Sequence, residues 1–287
     1  MTTESVHPSS SARRTKESLA ARIIIPLDYP APAEAEILLS SLEGIPCYLK
    51  VGMQLYYAAG PAFVESLKKR GYRVFLDLKL HDIPNTVKGG AESITRLGVD
   101  MFNVHAAGGL RMMEAAMEGV DKAAAGAPAS ATAASAPTAA SAVSVHSAAS
   151  CDFPLHNPNR PLVIAVTQLT STDRPMLNEQ IGIPGSVEES VVRYALLARQ
   201  AKLDGVVASA REVRLIKEAT DESFLTVTPG IRPSGSVAED QSRTMTPGEA
   251  LAAGSDYLVI GRPITAQKDP RLAFETLLEE MLTHGHA

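Results

Sequence analysis

The sequence is poor in cysteine, in net positive charge and in long apolar runs, and each shortage removes a class of function. Only two cysteines occur, Cys47 and Cys151. They stand far apart and without companions, so neither a disulfide framework nor a zinc site is indicated. The formal net charge is −5, so no global positive field draws the chain to nucleic acid or to an anionic membrane. A local anion site stays open, because a phosphate needs only a few well-placed groups. Residues 1–20 carry Ser, Thr and basic residues but nothing like the apolar core of a signal peptide. No later stretch is long and apolar enough to span a bilayer. These absences predict a cytoplasmic protein with no membrane and no nucleic-acid partner. The dinucleotide-binding pattern G-x-G-x-x-G is also missing after the first predicted strand.

What is present is a chain of 287 residues, 45% hydrophobic and 21% charged. That suits one barrel of about 250 residues plus an appendage. Short β-rich runs alternate with longer helical patterns, the mark of βαβ units and a parallel sheet. Strands are predicted at Arg22–Asp28, Cys47–Gly52, Arg73–Lys79, Met101–His105, Leu162–Thr167, Gly205–Ser209, Phe224–Thr228 and Tyr257–Gly261. Helices are predicted at Ala33–Leu42, Pro61–Arg70, Thr86–Leu97, Leu110–Ala123, Val187–Lys202, Arg211–Ala219, Pro247–Ala253 and Pro270–Thr283. Eight such pairs argue for a closed (β/α)₈ TIM barrel, an α/β fold, rather than an open sheet. Residues 1–21 read as an N-terminal arm ending in a short helix near Lys16–Ala21, and 22–287 as a single barrel domain. Residues 123–150 contain only Ala, Ser, Pro, Thr, Gly, Val and one His. Pro128, Pro137 and the serines interrupt helix and nothing supplies an apolar face, so a disordered insertion is expected there.

The stretch that carries chemistry is Phe75-Leu76-Asp77-Leu78-Lys79-Leu80-His81-Asp82-Ile83-Pro84-Asn85-Thr86. Side chains alternate faces along a strand, so Asp77 and Lys79 point one way and Leu76, Leu78 and Leu80 the other. The leucines can pack under helices, which leaves Asp77 and Lys79 facing the barrel axis at its C-terminal end, where barrel active sites are built. Asp82 follows on the loop. An isolated Asp–Lys pair is ordinarily structural. Here Lys50, near the end of the second predicted strand, can join the same cluster, and several buried charges are a poor choice for stability alone.

Asp77-x-Lys79-x-x-Asp82 followed by Ile83-Pro84-x-Thr86 resembles the signature of the orotidine 5′-phosphate decarboxylase family. Supporting runs, in order, are Pro26-Leu27-Asp28, Lys50-Val51-Gly52, Asn103-Val104-His105-Ala106-Ala107-Gly108-Gly109 and Ala165-Val166-Thr167-Gln168-Leu169-Thr170-Ser171. Thr228-Pro229-Gly230-Ile231-Arg232-Pro233 and Val259-Ile260-Gly261-Arg262-Pro263-Ile264-Thr265 complete the set. The resemblance extends from about Ile23 to about Leu282, with no departure at a motif position. It implies decarboxylation of orotidine 5′-phosphate to uridine 5′-phosphate in de novo pyrimidine biosynthesis, with no cofactor and no metal. It also implies a catalytic array of Lys50, Asp77, Lys79 and Asp82, with Lys79 as proton donor. Lys50 and Asp28 then reach the ribose hydroxyls, Thr86 the ribose and Thr170 the pyrimidine edge, while Ile83 and Pro229 also contact substrate. The family is dimeric, with Asp82 and Thr86 entering the neighbouring subunit's site.

The phosphate end can be argued from the residues themselves. Val259-Ile260-Gly261-Arg262 ends a strand in a glycine whose bare backbone can approach an anion, followed by a guanidinium fork suited to phosphate oxygens. The run 229–244 is rich in Gly, Pro and Ser, and a loop of that length in a compact barrel is often a lid. By resemblance its Arg232 and Gln241 contact phosphate. His81 and His105 read as scaffolding, and Asp173, Asp204 and Asp256 as caps, turns or surface charges. Two competing readings keep the barrel. One is a sugar-phosphate enzyme using Mg²⁺ and an enediolate, which places an acidic metal ligand where this chain has Lys50. The other is a catalytically silent phosphate-binding barrel, which has no use for four charged groups in one pocket.

Overall fold

The structure, a computed structural model, describes residues 15–126, 160–233 and 245–284. Its centre is a ring of eight parallel strands: β1 (Ile23–Pro26), β2 (Tyr48–Gly52), β3 (Arg73–Leu80), β4 (Met101–His105), β5 (Leu162–Val166), β6 (Gly205–Val207), β7 (Leu225–Thr228) and β8 (Tyr257–Val259). Pairing runs in chain order and closes where Ile23 and Ile24 of β1 meet Leu258 and Val259 of β8. The strands are apolar almost throughout, as in Ile23-Ile24-Ile25 and Leu162-Val163-Ile164-Ala165-Val166, because both of their faces are covered. All eight predicted strands are found, each within its predicted span or one residue beyond it.

Around the ring lie α1 (Lys16–Ala20), α2 (Pro32–Ser41), α3 (Met53–Lys69), α4 (Pro84–Arg96), α5 (Leu110–Ala125), α6 (Val187–Gln200), α7 (Val213–Ala219), α8 (Pro247–Ala252), α9 (Arg262–Thr265) and α10 (Pro270–His284). Capping explains several of the starts. The Ser186 hydroxyl accepts from the Glu189 backbone N–H, and the Glu189 carboxylate accepts from that of Ser186, which satisfies two otherwise orphaned donors at the head of α6. The helix expected from Pro61 is found, and another helix from Met53 precedes it. Gly60 sits at φ 68° between them, so the two join end to end across a kink, and the Gly-Pro punctuation marks both the joint and the start of the second. The insertion expected at 123–150 is shorter at its front. Ala123 packs in the core and α5 runs on through Ala125, since alanine is the best helix former. Residues 127–150 lie outside the described residues. Among the described residues no helix is long and apolar enough to cross a membrane.

Two apolar layers hold the barrel. The lumen is filled by Ile24, Tyr48, Phe75, Met101, Leu162, Ile164, Leu225, Val227 and Tyr257. Their strand neighbours, such as Ile25, Leu49, Leu76 and Phe102, point outward into the layer beneath the helices. Each such side chain contributes about 1.5–3 kcal/mol of burial. The lumen is thus a packed core, and a cavity opens at its C-terminal mouth.

The N-terminal end is closed by a repeated device. Asp100, Asp204 and Asp256 immediately precede β4, β6 and β8. One oxygen of each accepts the backbone N–H of a residue on the preceding odd strand: Val74 at 2.7 Å, Val163 at 2.7 Å and Thr226 at 2.8 Å. Each aspartate's own N–H returns to the carbonyl of that same residue. One cation then completes each carboxylate: Lys68, Arg160 or Lys217. Asp204 and Asp256, expected as caps, turns or surface charges, are therefore staples between strands.

Candidate active site

At the opposite end the strands stop around a cavity of about 660 Å³. Asp77 of β3 is buried there, 8% exposed. Its Oδ1 accepts from Lys79 Nζ at 2.6 Å and from Asn103 Nδ2 at 2.7 Å, and its Oδ2 pairs with Lys50 Nζ at 3.0 Å. Lys50 also reaches Asp28 Oδ1 at 3.4 Å, so Asp28, Lys50, Asp77 and Lys79 form one chain of alternating charge. Burial alone pushes the Asp77 carboxyl up, but Lys50 and Lys79, with hydrogen bonds from Lys79 and Asn103, outweigh it and hold the group below the ordinary aspartate value. Burial likewise works against the Lys50 ammonium, and Asp77 and Asp28 more than offset it. Both groups are fixed in their charged forms.

The expected alternation along β3 holds, with Asp77 and Lys79 lining the cavity and Leu76, Leu78 and Leu80 packed outward, but the pairing with β4 breaks. Leu76 pairs with Phe102 but Leu80 pairs with Val104, so three residues of β3 lie opposite the single Asn103. Lys79 takes up the slack with φ 53°, a left-handed conformation that a lysine rarely adopts and that clusters at functional sites. Nothing in the residue type signals this. Asn103 is 1% exposed, and its Oδ1 accepts the Lys79 backbone N–H at 2.8 Å. Its position as an amide within an apolar strand was the available signal.

The cavity also gathers Thr170 after β5, Pro229 and Arg232 after β7, and Gly261 and Arg262 after β8. A Cβ on Gly261 would lie 3.2 Å from Pro26 Cγ, a tight approach that a bare glycine avoids. Tyr29, Phe75, Gln168 and Thr265 line the same space without having been expected to. Asp82, Ile83 and Thr86 do not line it. All three are exposed, and Asp82 Oδ1 accepts its neighbour Ile83's own N–H at 2.6 Å. Gln241 lies outside the described residues. The His81 and His105 rings stack loosely, 5.5 Å apart, just beyond Lys79. Burial, with His81 and Lys79 nearby, keeps His105 below the ordinary histidine value and hence neutral near pH 7.

A closed eight-strand barrel with a lysine-bridged aspartate at its mouth narrows the choice of family, and the sequence decides it. Residues 21–277 match the profile described as the orotidine 5′-phosphate decarboxylase / HUMPS family. The chain belongs to that family. It is 48% identical over 257 residues to the orotidine 5′-phosphate decarboxylase of Geobacillus thermodenitrificans, covering 90% of this chain and 95% of that one. Against the orotidine 5′-phosphate decarboxylase of Moorella thermoacetica it is 49% identical over 260 residues, covering 91% and 92%. The crystal structure of orotidine 5′-phosphate decarboxylase from Lactobacillus acidophilus superposes with a TM-score of 0.72 at 35% identity, covering 91% of this chain and 99% of that one. As a member of the decarboxylase / HUMPS family, the chain carries its charged residues at the end of the barrel where such folds do their chemistry.

Proposed function

We propose that this protein decarboxylates orotidine 5′-phosphate to uridine 5′-phosphate, a step of pyrimidine biosynthesis, without metal or cofactor. The observation that carries the reading is Asp77 held between Lys50 and Lys79 in the same cavity as Gly261 and Arg262. Cleaving the bond from C6 to the carboxylate releases CO₂ and leaves an electron pair in an sp² orbital that the ring cannot delocalise. The Lys79 ammonium stabilises that pair electrostatically and then donates its proton to C6; solvent returns the proton to Lys79. Asp77 lies where the departing carboxylate is crowded by like charge, and loss of CO₂ relieves that repulsion. Lys50 and Asp28 take the ribose hydroxyls, Thr170 the pyrimidine edge, and Gly261, Arg262, Arg232 and Gln241 the phosphate, with Pro229 beside them. Binding energy from the phosphate end then supports the chemistry at the ring.

Asp82 and Thr86 complete the site of a second copy in a homodimer, and Ile83 contacts substrate. The exposure of Asp82 and Thr86, and their absence from this chain's own cavity lining, support that role. The family name also covers HUMPS, and a metal-dependent sugar-phosphate reaction is the alternative. Lys50 speaks against it, because an ammonium between two carboxylates occupies the charge that Mg²⁺ would neutralise. Incubation with orotidine 5′-phosphate while following ring absorbance, before and after exhaustive EDTA treatment, tests both. Turnover unaffected by chelation is expected. Loss that Mg²⁺ restores would move the chain to the sugar-phosphate branch, and no turnover at all would make it a binder.

A further inference from the structure

We propose that Asn103 is a positioning residue for this reaction: its side-chain amide pins the left-handed turn of β3 and so aims the Lys79 ammonium. The inference rests on the assignment of Lys79 as proton donor. A regular parallel ladder would give each N–H of β3 a backbone carbonyl on a neighbouring strand. The ladder between β3 and β4 lapses from Leu76 to Leu80, and the one β4 residue opposite the lapse is Asn103. Its Oδ1 takes the Lys79 N–H at 2.8 Å, standing in for the missing carbonyl. Its Nδ2 donates to Asp77 Oδ1 at 2.7 Å, the same oxygen that takes Lys79 Nζ at 2.6 Å.

A closed ring results: Asn103 amide, Asp77 carboxylate, Lys79 ammonium, Lys79 backbone and back to Asn103. Both ends of the lysine are thereby referred to one rigid amide, itself 1% exposed on a central strand. A donor and an acceptor are both required at position 103, 2.7–2.8 Å from their partners. Asparagine supplies both at that reach. The charged and titratable groups facing it are Asp77 and Lys79 on β3, Lys50 and Asp28 beyond them, and His105 on its own strand with His81 across from it. On its other side β5 is apolar from end to end.

Asn103→Asp preserves size and the acceptor, and makes the donor depend on protonation. While the new carboxyl holds its proton it can donate to Asp77 as the amide did. Once it ionises, two carboxylates meet at hydrogen-bond distance and the ring opens. The variant's kcat is therefore expected to be highest in the acid range and to fall as pH rises through a range where wild type is flat. KM should change little, since the phosphate end is untouched. Asn103→Ala should lose about a hundredfold in kcat, the effect of a misplacement of order 1 Å.

If Asn103→Ala does not fold, the pH profile of Asn103→Asp decides alone. A profile parallel to wild type, or kcat and KM worsening together, overturns the proposal. A crystal structure of a folded variant provides a readout that needs no substrate. Lys79 of Asn103→Ala is expected outside the left-handed region, and retention of φ near 53° overturns the pin whatever the activity. Failure of wild type to turn over orotidine 5′-phosphate would instead strike the functional reading, leaving that structural readout to decide the pin.

Discussion

The two ends of this barrel are built from the same ingredients, aspartates beside lysines or arginines at strand termini, and they use them in opposite ways. At the N-terminal end each of Asp100, Asp204 and Asp256 takes one cation and one backbone N–H, and each joins neighbouring strands. Charge is neutralised pair by pair and the carboxylates serve the backbone. At the C-terminal end Asp77 takes two lysines and a side-chain amide, among the interactions described, and no backbone N–H. Its neighbours face a cavity rather than a strand. Carboxylates that serve the backbone hold the fold together. A carboxylate that serves only other side chains leaves them available to a ligand.

The sharpest break of that comparison is on rate. Lys79→Ala should reduce decarboxylation at least about a thousandfold, because it removes both the electrostatic partner and the proton donor. Its melting temperature should stay close to wild type, since Lys50 still partners Asp77. A large fall in melting temperature would mean that the upper cluster is structural after all.

The converse applies below. Lys217 donates to Asp256 at 2.8 Å with side chains only 5% and 12% exposed. Asp256→Asn removes the charge facing that ammonium and weakens the staple to Thr226, and should cost about 3–5 kcal/mol by chemical denaturation. The kcat of the folded fraction should be unchanged. A kcat loss with stability intact would erase the distinction between the two ends.

Within the upper end, Arg262→Ala separates remote binding from chemistry. Losing a charge-assisted fork to phosphate should lower kcat/KM about 10- to 100-fold for the nucleotide, in line with about 1.5–3 kcal/mol for bonds to charged groups. The slow reaction of a phosphate-free orotidine analogue should hardly change, and equal damage to both substrates would make Arg262 structural.

The smallest expected signal sharpens the comparison most. The lower end is completed within one chain, whereas the upper end is proposed to borrow Asp82 and Thr86 from a second. Lys79→Ala and Asp82→Ala are each expected to be severely impaired. Mixed with proven subunit exchange, random pairing puts half the protein into mixed dimers with one wild-type site each, so about a quarter of wild-type activity should return. No recovery would sink the shared site.

The fold was legible because its signal is redundant. Each of eight strands is an apolar run bounded by polar turns, and no single boundary matters to the count. The charged residues of the site were legible for a different reason, since Lys50, Asp77 and Lys79 are polar where strands are otherwise apolar. Asn103 escaped because an amide announces no charge, although it breaks the same pattern in β4. The kink at Gly60 and the left-handed turn at Lys79 escaped because they are properties of register and joining. Such properties emerge only when one element is laid against another. Asp204 and Asp256 escaped as staples because the strands they join are reached through backbone N–H groups, whose placement no side-chain pattern reports.

The lapse in register between β3 and β4 bears on how this barrel could be redesigned. Between Leu76 and Leu80 β3 carries two more residues than β4 does across the same span. An optimiser that rewards regular strands would delete two residues there, restore the ladder and remove a left-handed lysine. The product would be a tidier barrel without the Lys79 ammonium at its mouth. Idealisation and activity are thus opposed at one identifiable place, and a stabilised version of this protein should leave 77–80 and position 103 as they are.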